Sequence, residues 1–96
     1  MSALQHRHAL ITGAGSGIGA AIALDLARSG ARLSLAGRQI SSLQTQAERL
    51  HAQVPGVELE VIALDVTVAS SVEQGVQMAQ TRWGPVHILE IGRAHV

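Results

Sequence analysis

The chain alternates short apolar stretches of strand length with stretches of helical periodicity, and no other feature of the sequence constrains its fold as strongly. The predicted strands are residues 8–12, 32–36, 58–64 and 86–89. Helices are predicted between them, the third over residues 70–82. Strands that alternate with helices form a parallel sheet, because each helix carries the chain back to the edge at which the strands begin. The sequence therefore predicts an α/β fold.

Right-handed crossovers between parallel strands restrict the order of the strands in the sheet. If the first strand is central, the first two helices cover one face as the chain moves outward. The third helix then returns on the other face and places the fourth strand beside the first. This predicts the order 3-2-1-4 in a three-layer Rossmann-type sheet, the N-terminal half of a dinucleotide-binding fold. Another parallel α/β layer with the same periodicity is the alternative.

Apolar residues at helical spacing predict the face that each helix packs on the sheet. The predicted stripes are Ile18, Ile22 and Leu26 in the first helix, Leu43, Ala47, Leu50 and Val54 in the second, and Val72, Val76, Ala79 and Trp83 in the third. Two serine pairs, Ser41 with Gln44 and Ser70 with Glu73, have the spacing of capping boxes. They predict the starts of the second and third helices.

Composition excludes several classes of function. The 96 residues suffice for one domain at most, and 47% hydrophobic with 15% charged residues is a globular composition. Seven basic and seven acidic side chains leave no net charge to attract nucleic acid or an anionic membrane. The absence of cysteine excludes a disulfide scaffold, a thiolate zinc site and a cysteine nucleophile. Without a signal-peptide pattern or an apolar run of about 18 residues, we predict a cytoplasmic protein.

A glycine cluster, Thr-Gly-Ala-Gly-Ser-Gly-Ile-Gly at residues 12–19, lies between the first predicted strand and helix. This is the context that a phosphate-binding turn requires. Gly13 is predicted to form the tight turn, Gly17 to leave space for a pyrophosphate, and Gly19 to allow close helix packing. The helix N-terminus adds unpaired N–H groups. The residues predicted to hold the pyrophosphate are Gly13, Ser16, Gly17, Ile18 and Gly19. A glycine turn without a ligand is the alternative.

The spacing Thr-Gly-x-x-x-Gly-x-Gly resembles the signature of the short-chain dehydrogenases/reductases. Three further segments resemble the same family in order: Ala-Gly-Arg at 36–38, Leu-Asp-Val-Thr at 64–67 and Trp-Gly-Pro-Val-His-Ile-Leu at 83–89. The resemblance covers residues 7–89. It implies an oxidoreductase with a nicotinamide dinucleotide cofactor.

The end of the second strand meets the adenosine ribose in such folds. NAD-preferring members carry an acidic residue there, whereas this chain has Gly37 followed by Arg38. A guanidinium forms paired bonds to phosphate, so we predict a preference for NADP(H), with NAD(H) possible; a solvated Arg38 with weak selectivity is the alternative. The resemblance further implies that Asp65 and Val66 contact the adenine, although Asp65 could also be a helix cap or turn residue.

The sequence assigns none of the histidines to a site, and it leaves the role of His87 open. His6 and His8 form a His-x-His pair of the kind that binds metal, but the sequence places no third ligand, so we predict surface histidines and no metal. His87 stands where relatives usually have an acidic residue.

The resemblance ends after Leu89, where the family continues with an apolar residue and Asn-Asn-Ala-Gly. Here the chain reads Glu-Ile-Gly-Arg-Ala-His-Val over residues 90–96. The codons atc gga aga gca cac gtc, part of a common sequencing-library adapter, encode its last six residues. We therefore predict that residues 1–89 are the N-terminal part of a dinucleotide-binding domain and that residues 90–96 are non-native. A natural truncated paralogue is the alternative.

The catalytic serine and the Tyr-x-x-x-Lys motif of the family have no counterpart in this sequence, which contains no tyrosine and no lysine. We predict no catalytic residues and an inactive fragment of an enzyme that transfers hydride between NADP(H) and a carbonyl or alcohol. Its substrate would be a small molecule, and the resemblance implies a homo-oligomeric full-length protein. A non-catalytic nucleotide-binding or redox-sensing module is the second hypothesis.

Overall fold

The computed structural model describes residues 3–15 and 17–91. Its elements are β1 (His8–Thr12), α1 (Gly17–Arg28), β2 (Arg32–Gly37), α2 (Ile40–Gln53), β3 (Leu59–Ala63), α3 (Ala69–Trp83) and β4 (Ile88–Ile91). The strands form one parallel sheet in the order β3-β2-β1-β4, which confirms the predicted α/β fold and strand order. Residues 92–96 of the predicted non-native tail, and Ser16 of the predicted pyrophosphate site, lie outside the described residues.

The central strand β1 is buried on both faces. Ala9 is level with Leu33 of β2 and with Ile88 of β4, so β1 is hydrogen-bonded on both sides. Its side chains alternate between two cores: Ala9 and Ile11 face α1 and α2, and Leu10 faces α3. This confirms the predicted placement of the helices on the two faces. Within the described part of the chain, no helix combines the length and the apolar character that spanning a bilayer requires.

Helix α1 buries its small residues rather than its large ones. Gly19, Ala23 and Ala27 are buried, at a spacing of four residues. Ile18, the first residue of the predicted stripe, is 77% exposed. The predicted stripe of Ile18, Ile22 and Leu26 is therefore displaced by one position from the buried face, although Leu26 is partly buried and packs against the core. Small side chains at this spacing let the helix backbone lie close to the sheet and the glycine turn, and this close approach decides the buried face.

Helices α2 and α3 pack largely as predicted. Helix α2 buries Leu43, Ala47 and Leu50. Helix α3 buries Ala79, and it also buries Gly75, which the stripe did not include. A Cβ added at Gly75 would overlap the side chain of Leu64, so here too the absence of a side chain permits close packing.

The two predicted capping boxes are wrong. The N-cap residues are Gln39 for α2 and Val68 for α3, and neither side chain makes a capping hydrogen bond. Both residues have extended backbone, and both helices begin one residue before the serine that was predicted to start them. The reason lies in the short entry loops: two residues separate β2 from α2, and a turn in which the Val68 N–H donates to the Asp65 carbonyl leads into α3.

Candidate functional site

The carboxyl ends of β1, β2 and β3 bring three loops together at one edge of the sheet. The Gly13 N–H, just after β1, donates to the Ala36 carbonyl of β2 at 3.0 Å. The Leu64 N–H, just after β3, donates to the Gly37 carbonyl at 2.9 Å. These bonds fix the three loops to one another. In open α/β folds, ligands bind in the crevice outside this edge.

The glycine turn between β1 and α1 provides open space at its helical end. Gly13 and Gly17 have φ angles of +68° and +62°, a region that side-chain-bearing residues rarely adopt. Apart from the residues next to it in the chain and its own helix backbone, no atom of the described residues lies within 4 Å of the position that a Cβ on Gly17 would occupy. Helix α1 begins at Gly17, so its first N–H groups lack helical partners and lie beside this space. The turn therefore has the room and the donors that an anion requires.

Gly19 is required for the opposite reason. A Cβ at this position would overlap the carbonyl oxygen of Gly13 and lie 2.9 Å from the Gly13 carbonyl carbon. It would also lie 3.2 Å from Cα of Ala14, which is fully buried. The first turn of α1 is thus packed directly on the backbone of the glycine turn, as the sequence predicted for Gly19.

A cleft of about 580 Å³ connects the glycine turn to the end of β2. It is lined by Gly13, Gly15, Gly37, Arg38, Gln39, Ser42 and Leu43. Among these residues Arg38 is the only charged one, and its side chain is exposed. The cleft is therefore suited to a ligand that carries negative charge near the end of β2.

Asp65 follows β3 and forms a local turn. Its Oδ1 accepts hydrogen bonds from the Thr67 hydroxyl at 2.6 Å and from the Thr67 N–H at 2.9 Å. These two bonds, aided by the positive charge of Arg38 and opposed by partial burial, hold the pKa of Asp65 below its ordinary value. Both bonds are accepted by Oδ1. Val66 beside it is 55% exposed. Asp65 is therefore a turn residue, which was one of the alternatives that the sequence left open. This role is compatible with a contact to a ligand.

A family model described as short chain dehydrogenase matches residues 7–94, nearly the whole chain. The chain belongs to the short-chain dehydrogenase family.

Three known proteins are similar to this short-chain dehydrogenase chain over most of its length. Glycine betaine reductase ATRR of Emericella nidulans is 43% identical over 86 residues, which are 90% of this chain. L-sorbose reductase of Gluconobacter frateurii, solved with NADPH and L-sorbose, has a TM-score of 0.86 and 33% identity over 97% of this chain. A metagenomic short-chain oxidoreductase, solved with NADP, has a TM-score of 0.87 and 32% identity over 99% of this chain. The chain spans 7%, 35% and 42% of these three proteins.

Part of the cleft in this short-chain dehydrogenase chain was missed by sequence reasoning. Gln39 and Ser42 line it, and Gln46 reaches the glycine turn, where its Nε2 donates to the Gly15 carbonyl at 3.3 Å. All three lie on α2 or at its start. No motif marks them, because their positions at the cleft depend on how α2 packs beside the turn. The only sequence signal for these residues was that all three are polar.

His8 is fully buried, so the prediction of a surface or terminal histidine is wrong for this residue. Its Nδ1 lies 3.0 Å from the Gly84 carbonyl and its Nε2 lies 2.7 Å from the Ser34 hydroxyl. Since a carbonyl only accepts, Nδ1 carries the proton of this bond. His8 is buried because it belongs to the central strand. His6, which precedes the strand, is exposed as predicted.

His87 joins the start of β4 to β1. Its Nδ1 accepts a hydrogen bond from the His8 N–H at 3.0 Å, and its own N–H donates to the His8 carbonyl at 2.9 Å. This contact lies at the opposite end of the sheet from the glycine turn. Over residues 3–15 and 17–91, no three His, Cys, Asp or Glu side chains are grouped as ligands of a metal ion would be.

Proposed function

We propose that the chain is the NADP(H)-binding part of an oxidoreductase that transfers hydride between the nicotinamide of NADP(H) and a carbonyl or alcohol substrate. The observation that carries this proposal is the position of Arg38. It follows β2, lines the cleft that leads to the glycine turn, and is the only charged residue among those lining it. A carboxylate at the end of β2 would repel a 2′-phosphate, whereas a guanidinium can bind it through paired, charge-assisted hydrogen bonds.

The remaining residues of the edge fit a dinucleotide. The open space at Gly17 and the N-terminus of α1 suit a pyrophosphate, and Asp65 with Val66 would contact the adenine. The residues proposed to hold the cofactor are Gly13, Ser16, Gly17, Ile18, Gly19, Arg38, Asp65 and Val66. The bound cofactor supplies the hydride chemistry, and these residues bind and orient it.

Two of the similar structures support the class of ligand. The sorbose reductase was solved with NADPH and the metagenomic oxidoreductase with NADP. Because this chain spans only 35% and 42% of these two proteins, we assign the catalytic groups, the small-molecule substrate site and any oligomer contacts to other parts of the full-length enzyme. The protein is further proposed to act in the cytoplasm.

Affinity measurements on the full reading frame test the cofactor assignment. We expect NADPH to bind more tightly than NADH, and Arg38→Ala to weaken NADPH binding by at least about tenfold, since one hydrogen bond to a charged group is worth about 1.5 kcal/mol or more. NADH affinity should change little. Arg49→Ala, an exposed arginine on α2 outside this cleft, is the matched control. Equal affinities for the two cofactors, or an unchanged NADPH affinity in Arg38→Ala, would refute the assignment.

The hydride-transfer step has a separate test. Oxidation of NADPH by a panel of aldehydes and ketones, measured with the full-length protein, should show turnover for at least one of them. Tight cofactor binding without turnover on any carbonyl, or with any alcohol in the reverse direction, would contradict the enzymatic part of the proposal.

Residues 90–96 are proposed to be non-native, since codons of a common sequencing-library adapter would encode the residues of 91–96 in this order. Re-amplifying the locus from source DNA should show a reading frame that differs after Leu89. A natural stop codon directly after Val96 in clean reads would refute this.

A further inference from the structure

Helix α2 contacts the glycine turn at Gly15. The Gln46 Nε2 donates a hydrogen bond to the Gly15 carbonyl at 3.3 Å, across 31 residues of sequence. One helical turn earlier, Ser42 packs against the same residue: a Cβ added at Gly15 would lie 3.0 Å from the Ser42 Cβ. Because Ser42 and Gln46 are four residues apart, they lie on one face of α2. That face presses on the turn and binds one of its carbonyl groups.

The same helix begins two residues after Arg38, which is proposed to bind the 2′-phosphate. The Ser42 hydroxyl donates to the Gln39 Oε1 at 3.4 Å, and both residues line the cleft together with Arg38. A continuous helix therefore connects the segment that would bind the 2′-phosphate to the turn that would bind the pyrophosphate.

The glycine turn needs such support. Gly13 and Gly17 both have positive φ angles, and glycine-rich backbone has many accessible conformations that must be lost when a ligand orders it. A contact that orders the turn before the ligand binds reduces this loss and so increases affinity. The bond from Gln46 also directs the Gly15 carbonyl oxygen toward α2. A carbonyl oxygen turned toward a pyrophosphate would repel it.

We propose that Gln46 is a positioning residue for the pyrophosphate: it holds the Gly15 carbonyl and thereby keeps the glycine turn in the conformation that binds the cofactor. This inference rests on the proposed NADP(H)-binding function. Gln46 acts through the turn and makes no contact with the ligand itself. A purely structural role is the competing explanation, since Gln46 also lines the groove between α1 and α2, together with Ala20, Ala21 and Leu24.

Two ligands separate these explanations. NADPH carries both the 2′-phosphate and the pyrophosphate, whereas adenosine 2′-monophosphate carries the 2′-phosphate without a pyrophosphate. Loss of a positioning contact at the turn weakens the first ligand alone. Displacement of α2 weakens both, because Arg38 and Gln39 lie at the start of that helix.

The test is calorimetric titration of the full-length protein and its Gln46→Met variant with each ligand. Methionine keeps the length of the side chain but removes the donor. We expect NADPH to bind about fivefold more weakly, the loss that one neutral hydrogen bond implies, with the affinity for adenosine 2′-monophosphate unchanged. Gln44→Met, an exposed position on the same helix, should change neither affinity. Gln46→Glu, which presents no donor at neutral pH, is the second variant and should weaken NADPH binding at least as much.

An unchanged NADPH affinity in both Gln46 variants would overturn the inference. Equal weakening of both ligands by Gln46→Met would also overturn it in favour of a structural role. These results are distinguishable from failure of the proposed function, in which the unmodified protein would bind neither ligand.

Discussion

Gly19 and Gly75 are both buried glycines within helices, but the substitutions Gly19→Ala and Gly75→Ala should differ in their effect on the stability of the protein. At Gly19 the added Cβ would overlap the Gly13 carbonyl oxygen and approach the Gly13 carbonyl carbon to 2.9 Å. Both obstacles are backbone atoms of a turn that is hydrogen-bonded to β2. At Gly75 the Cβ would overlap Cδ1 of Leu64, the far end of a side chain that can rotate.

The magnitudes follow from these obstacles. Alanine gains about 1 kcal/mol over glycine in helix propensity at either position. At Gly19, forcing α1 away from the turn should cost about 2–3 kcal/mol, which is the upper part of the range for overpacking. At Gly75, moving the Leu64 side chain off its rotamer should cost about 0.5–1.5 kcal/mol. We therefore expect Gly19→Ala to lower the free energy of unfolding by about 1–2 kcal/mol and Gly75→Ala to leave it nearly unchanged.

Urea unfolding of the full-length protein and both variants measures this difference. Gly19→Ala should also weaken NADPH binding, because the displaced turn is the proposed pyrophosphate site, whereas Gly75→Ala should bind NADPH normally. Equal stability of the two variants, or a more stable Gly19→Ala, would show that the turn yields more easily than its backbone contacts imply and would refute the reasoning.

Three further outcomes are expected. Burial raises the pKa of Glu60 above its ordinary 4.5, although a hydrogen bond from Ser34 and the positive charge of Arg82 act to lower it. The ionised carboxylate is therefore disfavoured in the folded state. Stability should fall as pH rises from about 4.5 through the raised pKa, and Glu60→Gln should remove this slope in urea titrations at several pH values. The pKa of Asp65 is lowered from its ordinary 3.8, so the stabilisation by its carboxylate should be present above pH 3.8 and lost as pH falls through the lowered pKa. Asp65→Asn keeps an acceptor for Thr67 and should be less destabilising at neutral pH than Asp65→Ala in thermal unfolding; equal losses would contradict this. Residues 1–96 expressed alone should self-associate in analytical ultracentrifugation, because Leu89 and Ile91 are 58% and 57% exposed on edge strand β4; a stable monomer with one sharp thermal transition would contradict this.

Much of the fold could be predicted because its signals are local. A buried parallel strand is a continuous apolar run, a helix repeats its apolar residues every three or four positions, and crossover handedness then restricts the strand order. The predicted order 3-2-1-4 and the meeting of three loops at one edge follow from these rules. The glycine spacing at residues 13–19 predicted the position of the turn, because positive φ angles and close backbone contacts favour glycine over residues with a side chain.

The errors concern contacts between elements. The predicted stripe of α1 followed its largest residues, but the buried face consists of Gly19, Ala23 and Ala27, and Ile18 is exposed. His8 was predicted at the surface because the sequence places no third metal ligand beside His6 and His8, whereas hydrogen bonds that join its ring and backbone N–H to Ser34, Gly84 and His87 allow it to be buried in the central strand.

The sequence by itself determined the kinds of element, their order in the sheet and the edge at which a ligand would bind. Only the tertiary structure decided which helix face is buried, how His8 is satisfied and that Gln46 reaches Gly15. The physical reason is that periodicity and glycine spacing act within a few residues of the chain. The distance between a helix and a turn 31 residues away depends on the packing of every side chain between them.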